Sequence, residues 1–433
     1  MRSTLSLAGY GAGSFGVNLL GWPVHALLMY FLTESVGFGV ALATLVVTAP
    51  KVWDIFMDPF IGAWADRSAA RTGHRGRVLL GTAAVLPVSV VTVFMLPSQA
   101  PSWTAVLVIA MLIVHSSAFM AYFISQVALA DDFEQAGTAR RDSALALRVV
   151  GQATGSLCAG AVGPLLIGLS GQGGKDYLAM AVVLSVAGAA GLVTVALTAR
   201  RFKVGAAKAD AHPRVGLGEA LRAAWRNRAA GALIVSNFAV YVASSITATF
   251  TPYMNKLLLG AEEASMSFLF SSFMVAMLGG SALAAWGTRR YPRLWVLAGG
   301  AGVMFLASLL IWPTTLPGAL KAASAVNALW GLGLGIYALV IFSATIDLSQ
   351  ASAAGAGLLL GLLISTGKIG DSLGGVLVGA ILSWAGYSAG VVPDAQMTSA
   401  LRAAYSLAPP LAMALSLAVL LPHLRGATRP ESM

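Results

Sequence analysis

Charge is scarce in this chain. Of its 433 residues, 10% are Asp, Glu, Lys or Arg and 58% are hydrophobic, with a mean hydropathy of +0.80. A water-soluble domain carries roughly 25% charged residues, so the deficit excludes a soluble globular protein. Cysteine is nearly absent: Cys158 stands alone in an apolar run, which rules out an intrachain disulfide and any Cys/His metal spacing. The five histidines are scattered. No H-E-x-x-H or G-x-S-x-G string occurs, so neither of those hydrolytic sites is present and no enzyme is read here. The nearest approach to a phosphate-binding loop, "GLLISTGKIG", has the wrong spacing and places Ile369 where Ser or Thr belongs, which argues against an ATP-driven pump.

What is abundant is apolar sequence in lengths near about 20 residues, enough to cross a bilayer core of about 30 Å. Twelve helices are predicted, near 8–33, 38–65, 78–97, 102–130, 144–170, 177–199, 229–254, 264–287, 294–312, 318–346, 353–384 and 396–424. The first is read as a span, not a cleaved signal peptide, because one Arg precedes an apolar run that continues too far. The expectation is an all-α polytopic membrane protein in two six-helix halves. These are 1–199 and 229–433, joined by the polar linker 200–228. Two such halves suggest internal duplication.

The basic residues set the orientation. Twenty of the 27 Lys and Arg fall on one side: Arg2, four between 67 and 77, Arg140, Arg141, eight in the linker, three at 289–293, Arg425 and Arg429. Only Lys175, Lys256, Lys321 and Arg402 fall on the other. The positive-inside rule puts both termini in the cytoplasm of a cell inner membrane. The net charge of +10 then serves topology and contact with anionic lipid, and nucleic acid is not needed to explain it.

Three basic residues remain, Lys51, Arg148 and Lys368. With Asp54, Asp58 and Asp371 they fall inside predicted spans. Each costs about 2.5–3.5 kcal/mol at mid-helix on insertion scales, so each needs a partner, water or a task. Asp54 and Asp58 are one turn apart on one face, with Lys51 a turn earlier. Two shielded carboxylates so close hold a proton or a cation between them, and their oxygens suit a small hard cation. The competing reading pairs Lys51 with Asp54 and Asp58 with Arg148. Lys368 likewise has Asp371 three residues on as an intrahelical partner.

After this pair come Gly62-x-x-x-Asp66-Arg67 and "SAARTGHRGR". The glycine permits close helix approach, and Asp66, Arg67 and Arg71 are read as a charge network that gates the cytoplasmic mouth. Arg75 and Arg77 are read as ordinary basic residues of a topology-setting loop.

Twelve helices with a G-x-x-x-D-R loop after the second resemble the major facilitator superfamily. More narrowly, "KVWDIFMDPFIGAWADRSAARTGHR" resembles the signature of the glycoside–pentoside–hexuronide:cation symporters, the melibiose permease group. "YGAGSFGVNLLGWPVHALLMYFLTESVG", "TARRDSALALRVVGQATG" and "LISTGKIGDSLGG" resemble that family's first helix, its loop into helix 5 and its helix 11. The resemblance implies that Asp54 and Asp58 bind the coupling cation (Na⁺ or H⁺, with no other cofactor), that Arg148 lies in a central cavity and that Lys368 is needed for transport. Trp53 fits the local pattern. The chain departs from that family where sugar-transporting members carry acids: Asn18 stands at one such position in helix 1, and Phe123 aligns with the acid of helix 4. Ser125 and Gln126 replace a proline–aromatic pair.

Two acids fewer leave a more positive cavity, which favours a solute bearing a carboxylate, phosphate or sulfate. The residues expected to touch the solute are Asn18, Tyr122, Gln126, Arg148, Trp330 and Lys368. Tyr10, Ser14, His25, Gln152, Asn237, Tyr241, Asn327 and Tyr337 are further lining candidates, each also readable as helix–helix glue. The resemblance implies a monomeric, cation-coupled symporter working by alternating access on a glycoside, sugar or sugar acid. Animal proteins of the broader group move lysolipids, which makes an amphiphile the alternative solute.

Overall fold

The computed structural model describes residues 2–138, 141–168, 175–204, 227–350, 356–388, 390 and 393–426, and these are helical with turns between. The chain divides into two compact units, Met1–Asp210 and Ala211–Met433. The first holds α1 (Arg2–Ala26), α2 (Val40–Thr72), α3 (Gly76–Phe94), α4 (Thr104–Gln135), α5 (Arg141–Gly168) and α6 (Lys175–Ala199). The second holds α7 (Arg228–Tyr253), α8 (Met266–Gly287), α9 (Arg293–Leu309), α10 (Leu320–Gln350), α11 (Ala356–Trp384) and α12 (Ala395–Leu420). Positions 205–226 of the expected linker lie outside the described residues, as do Arg140 and Arg429.

Among the described residues nine helices are long and apolar enough to cross a membrane, or ten if a bent pair counts as one span. That pair corrects the first predicted span. Leu5–Ala26 and Leu28–Ser35 meet at 47°, with the break at Leu27, whose N–H still donates to Pro23 O at 2.9 Å. Of the other expected spans, Arg293–Leu309 is a shorter apolar helix, and α11 carries Lys368 and Asp371 near its middle.

Each unit closes its first helix in the same way. Phe31–Ser35 and Met254–Leu258 are π-helical turns, each preceded by a tyrosine, Tyr30 or Tyr253, and followed by a left-handed glycine, Gly37 (φ 84°) or Gly260 (φ 62°). The hydrogen bonds correspond: Val36 N–H to Phe31 O at 3.0 Å and Phe38 N–H to Leu32 O at 2.9 Å, against Leu259 N–H to Met254 O and Ala261 N–H to Asn255 O, both 3.0 Å. The next free carbonyl is met from the loop before the fourth helix, by Gln99 N–H in one unit (2.9 Å) and Gly318 N–H in the other (3.2 Å). Both donors have positive φ, 58° and 76°. Orphan carbonyls at a helix end need such partners in lipid, where water supplies none.

The packing order corresponds as well. In each unit the first helix lies against the fifth and sixth, the second against the fourth, and the third against the fourth and sixth. Glycines allow the closest of these approaches. A Cβ at Gly16 in α1 would overlap the Gly188 carbonyl of α6, and one at Gly335 in α10 would overlap the Met277 carbonyl of α8. Small residues at helix interfaces are how membrane helices gain van der Waals contact without a hydrophobic drive.

Candidate functional site

Helix α2 carries Lys51, Asp54 and Asp58 on one face, each half-buried. It packs on α4, where Trp53 Nε1 donates to Ser117 Oγ at 3.3 Å. A Cβ on Gly62 would stand 2.9 Å from Ile124 Cδ1, so that glycine does set a close α2–α4 approach. Beyond the pair the helix stays apolar through Phe60, Ile61, Ala63, Trp64 and Ala65 as far as Asp66. The two carboxylates therefore stand within the apolar part of a 33-residue helix.

At the far end of α2 the charges are arranged differently from the sequence expectation. Asp66 Oδ1 is met at 3.0 Å by Arg75 Nη1, and Arg75 Nε reaches Asp132 Oδ2 at 3.0 Å. Arg75 and Asp132 are 11% and 3% exposed, while Asp66 is 61% exposed. Arg75 thus bridges the ends of α2 and α4 from the N-terminus of α3, and it is not the plain topology residue it resembles in sequence. Arg67 folds back, its Nε donating to Ala63 O at 3.0 Å, and Arg71 is exposed. Asp132 was missed because its partner lies 57 positions away; the doubled acid "DD" at the end of an apolar run was the available signal.

The second cluster joins α1, α4 and α5. Arg148 on α5 lays its guanidinium over the Phe123 ring, 4.4 Å from Cζ to centroid. Among the described residues Arg148 has no carboxylate partner, so the expected Arg148–Asp58 pair does not form. Asn18 Nδ2 donates to Ser14 O (2.8 Å), and Ser156 Oγ donates to Asn18 Oδ1 (3.4 Å). Gln126 is buried and its Nε2 donates to Tyr10 O (3.0 Å) and Ser14 Oγ (2.7 Å). Tyr122 is buried too, its hydroxyl in the space Gly13 leaves open. Gln126 Nε2 therefore ties α4 to α1, while Asn18 bonds its own helix through Nδ2 and α5 through Oδ1.

In the second unit, Lys368 and Asp371 stand three residues apart on α11, both half-buried. Trp330 on α10 is fully packed. Hydroxyls and amides dominate the interior here. Ser236 Oγ lies 2.9 Å from Tyr337 Oη and 2.8 Å from Ser416 Oγ, joining α7, α10 and α12. Asn237 Nδ2 donates to Leu363 O at 2.9 Å. Arg293 Nη1 meets Asp347 Oδ1, joining the start of α9 to the end of α10.

A two-unit helical membrane protein with charged groups inside its spans defines a transporter scaffold, and comparison with known proteins agrees. The family described as MFS/sugar transport protein matches residues 9–422, and the chain belongs to it. Two curated relatives match locally: the uncharacterized symporter sll1374 of Synechocystis sp., 38% identical over 81 residues, and the uncharacterized symporter YnaJ of Bacillus subtilis, 33% identical over 72. Those stretches are 19% and 17% of this chain, and they span 15% and 16% of the relatives' own length. Three solved structures share the fold. A bacterial homologue of the human lysosomal transporter Spinster, inward-facing and unoccupied, has a TM-score of 0.75 at 14% identity, covering 99% of both chains. The nucleoside transporter NupG has a TM-score of 0.69 at 14% identity, covering 96% of this chain and 98% of its own. A bacterial homologue of the human drug peptide transporters PepT1 and PepT2 has a TM-score of 0.70 at 16% identity, covering 98% and 100%. The chain is a membrane transporter of the major facilitator superfamily.

Proposed function

We propose that this protein is a cation-coupled, alternating-access transporter of an organic anion, built as twelve spans in two halves with both termini cytoplasmic, in the manner of the glycoside–pentoside–hexuronide:cation symporters. The observation that carries the anion is Arg148. A guanidinium inside a membrane segment needs compensation, and among the described residues it meets a Phe ring face, a cation–π contact of about 0.5–2 kcal/mol, and no carboxylate. A solute carboxylate or phosphate would complete the pairing with bidentate, charge-assisted hydrogen bonds. Lys368 is the second candidate cation.

Asp54 and Asp58 are assigned to the coupling ion, H⁺ or Na⁺. Among the described residues no three of His, Cys, Asp and Glu gather into a metal-holding group. A sodium ion there would take its remaining oxygens from hydroxyls, carbonyls or water. Its positive charge, or a proton's, lowers the repulsion within the pair and so favours the loaded state.

Between the two solute classes, geometry favours the amphiphile. A sugar needs several uncommitted amide and carboxylate partners for its hydroxyls. Gln126 Nε2 is committed to α1, Asn18 bonds its own helix through Nδ2 and accepts from Ser156 through Oδ1, and the fourth-helix position is Phe123. A lysolipid or similar amphiphile needs one anion-binding group and apolar surroundings, which Arg148 on Phe123 supplies.

Uptake into proteoliposomes under an imposed Na⁺ or pH gradient tests this with an anionic lysolipid, a sugar acid and a neutral glycoside. Wild type is expected to accumulate the lysolipid. Asp58→Asn should keep the fold and lose gradient-driven accumulation, and Arg148→Gln should lose the preference for anions. Accumulation of the neutral glycoside alone, unaffected by Arg148→Gln, would overturn the reading.

A further inference from the structure

The turn between α8 and α9 reads "WGTRRYPRLW", Trp286 to Trp295, and it presents a site that transport does not require. Trp286, in the last turn of α8, is 51% exposed; Tyr291 and Trp295 are comparably open. Arg290 lays its guanidinium over the Trp286 ring, 4.6 Å from Cζ to centroid. Trp295 is fixed at the other flank, where its Nε1 donates to Leu424 O at 3.1 Å, in the 3₁₀ turn Leu421–Gly426 that follows α12.

Arg289 and Arg290 are exposed, and among the described residues neither has a carboxylate partner. The acid at this end of the unit, Asp347, is held by Arg293. Glu262 and Glu263 precede α8 and Asp394 caps the start of α12, at the opposite helix ends. Among the described residues, two guanidiniums are therefore left without a carboxylate between aromatic rings, at the end of an apolar helix. Tryptophan and tyrosine prefer that level, and a guanidinium fork matches a phosphate in two hydrogen bonds.

The corresponding turn in the first unit lacks this arrangement. There the exposed arginines Arg67, Arg71 and Arg77 have no Trp, Tyr or Phe between residues 65 and 93 to flank them, and the chain after α6 meets the turn, where Val204 N–H donates to Gly73 O at 3.0 Å. The difference marks the second-unit turn as more than the general basic surplus of one membrane side.

We infer that Arg289, Arg290, Trp286, Tyr291 and Trp295 form a binding site for the phosphodiester headgroup of an anionic phospholipid in the adjoining leaflet. The occupant is a lipid and not a free phosphate, because the rings flanking the guanidiniums are placed to meet the glycerol and upper acyl region.

Native mass spectrometry of the full chain tests this, after delipidation and addition of phosphatidylglycerol or phosphatidylcholine. Wild type is expected to retain phosphatidylglycerol preferentially. Arg289→Gln with Arg290→Gln should reduce that retention by about thirtyfold, taking each arginine at the usual surface value. Trp286→Ala should reduce it less. A control double variant elsewhere, Arg200→Gln with Arg201→Gln, should keep it. Equal retention by the Arg289/Arg290 variant and wild type overturns the site. So does full displacement of the lipid by millimolar inorganic phosphate, which would mean an anion site without lipid selectivity.

Discussion

The two units share a scaffold and differ in what they bury. Both close the first helix with a π-helical turn, a left-handed glycine and a clip from the loop before the fourth helix. Both carry an arginine at the start of the third helix paired with an aspartate three residues before the end of the fourth, Arg75–Asp132 and Arg293–Asp347. The first unit sets charges inside its spans, with Lys51, Asp54 and Asp58 on α2 and Arg148 on α5. The second ties its interior with hydroxyls and amides at Ser236, Tyr337, Ser416 and Asn237, and keeps ionisable groups to Lys368 and Asp371. Features common to both units belong to assembly. Features found in one are where a specific task is to be sought, which is why Arg148 and the α8–α9 turn carry the functional arguments.

The largest effects are expected where a glycine lets two helices touch, at a different helix pair in each unit. Gly16→Val forces a side chain into the Gly188 carbonyl between the first and sixth helices, and Gly335→Val into the Met277 carbonyl between the fourth and second. Each should cost about 4 kcal/mol or more, seen as absence of a monodisperse peak in size-exclusion chromatography. A monodisperse peak from either variant would mean that the backbones there can part without loss of the fold.

The paired arginines should then separate. Arg75→Gln leaves Asp132 buried at 3% exposure without its cation and should cost about 3 kcal/mol. Arg293 and Asp347 are 39% and 51% exposed, so Arg293→Gln should cost below about 1 kcal/mol. Thermal unfolding of both variants in one detergent gives the contrast directly, and similar shifts would mean that burial is not what distinguishes the pairs.

Phe123→Asp hands Arg148 the carboxylate it lacks. Anion uptake should fall about tenfold, the equivalent of about 1.4 kcal/mol of lost differential binding, with the fold intact. Unchanged anion uptake would remove Arg148 from solute recognition. Smallest in this series is Ser236→Ala, which takes one partner from both Tyr337 and Ser416 and should cost about 1 kcal/mol. Denaturant titration should detect it as a shift in midpoint without a change in slope.

Much of the scaffold was legible in sequence because it is written locally. Apolar runs gave the helices, and Gly37 and Gly260 end their turns where only a residue tolerant of positive φ sits easily. The charge clusters were less legible, since their partners are distant in the chain. Arg75 reads as one more basic loop residue until Asp132 is brought beside it. Arg148 was expected to seek a carboxylate, and Phe123, aligned with an acidic position of the family it resembles, offers the guanidinium its ring face instead. Gln126 is readable as a solute contact and as helix–helix glue, and its bonds to Tyr10 O and Ser14 Oγ serve the second role.

The unequal burial of the two arginine–aspartate pairs has a consequence for the molecule's surroundings. An exposed pair is screened by dissolved ions, whose reach at about 0.15 M is about 8 Å, while a buried pair is screened far less. Raising ionic strength therefore loosens the tie between the ends of α9 and α10 and leaves the tie between α3 and α4 in place. One unit of this transporter is mechanically sensitive to the salt around it at that end; the other is insulated from it.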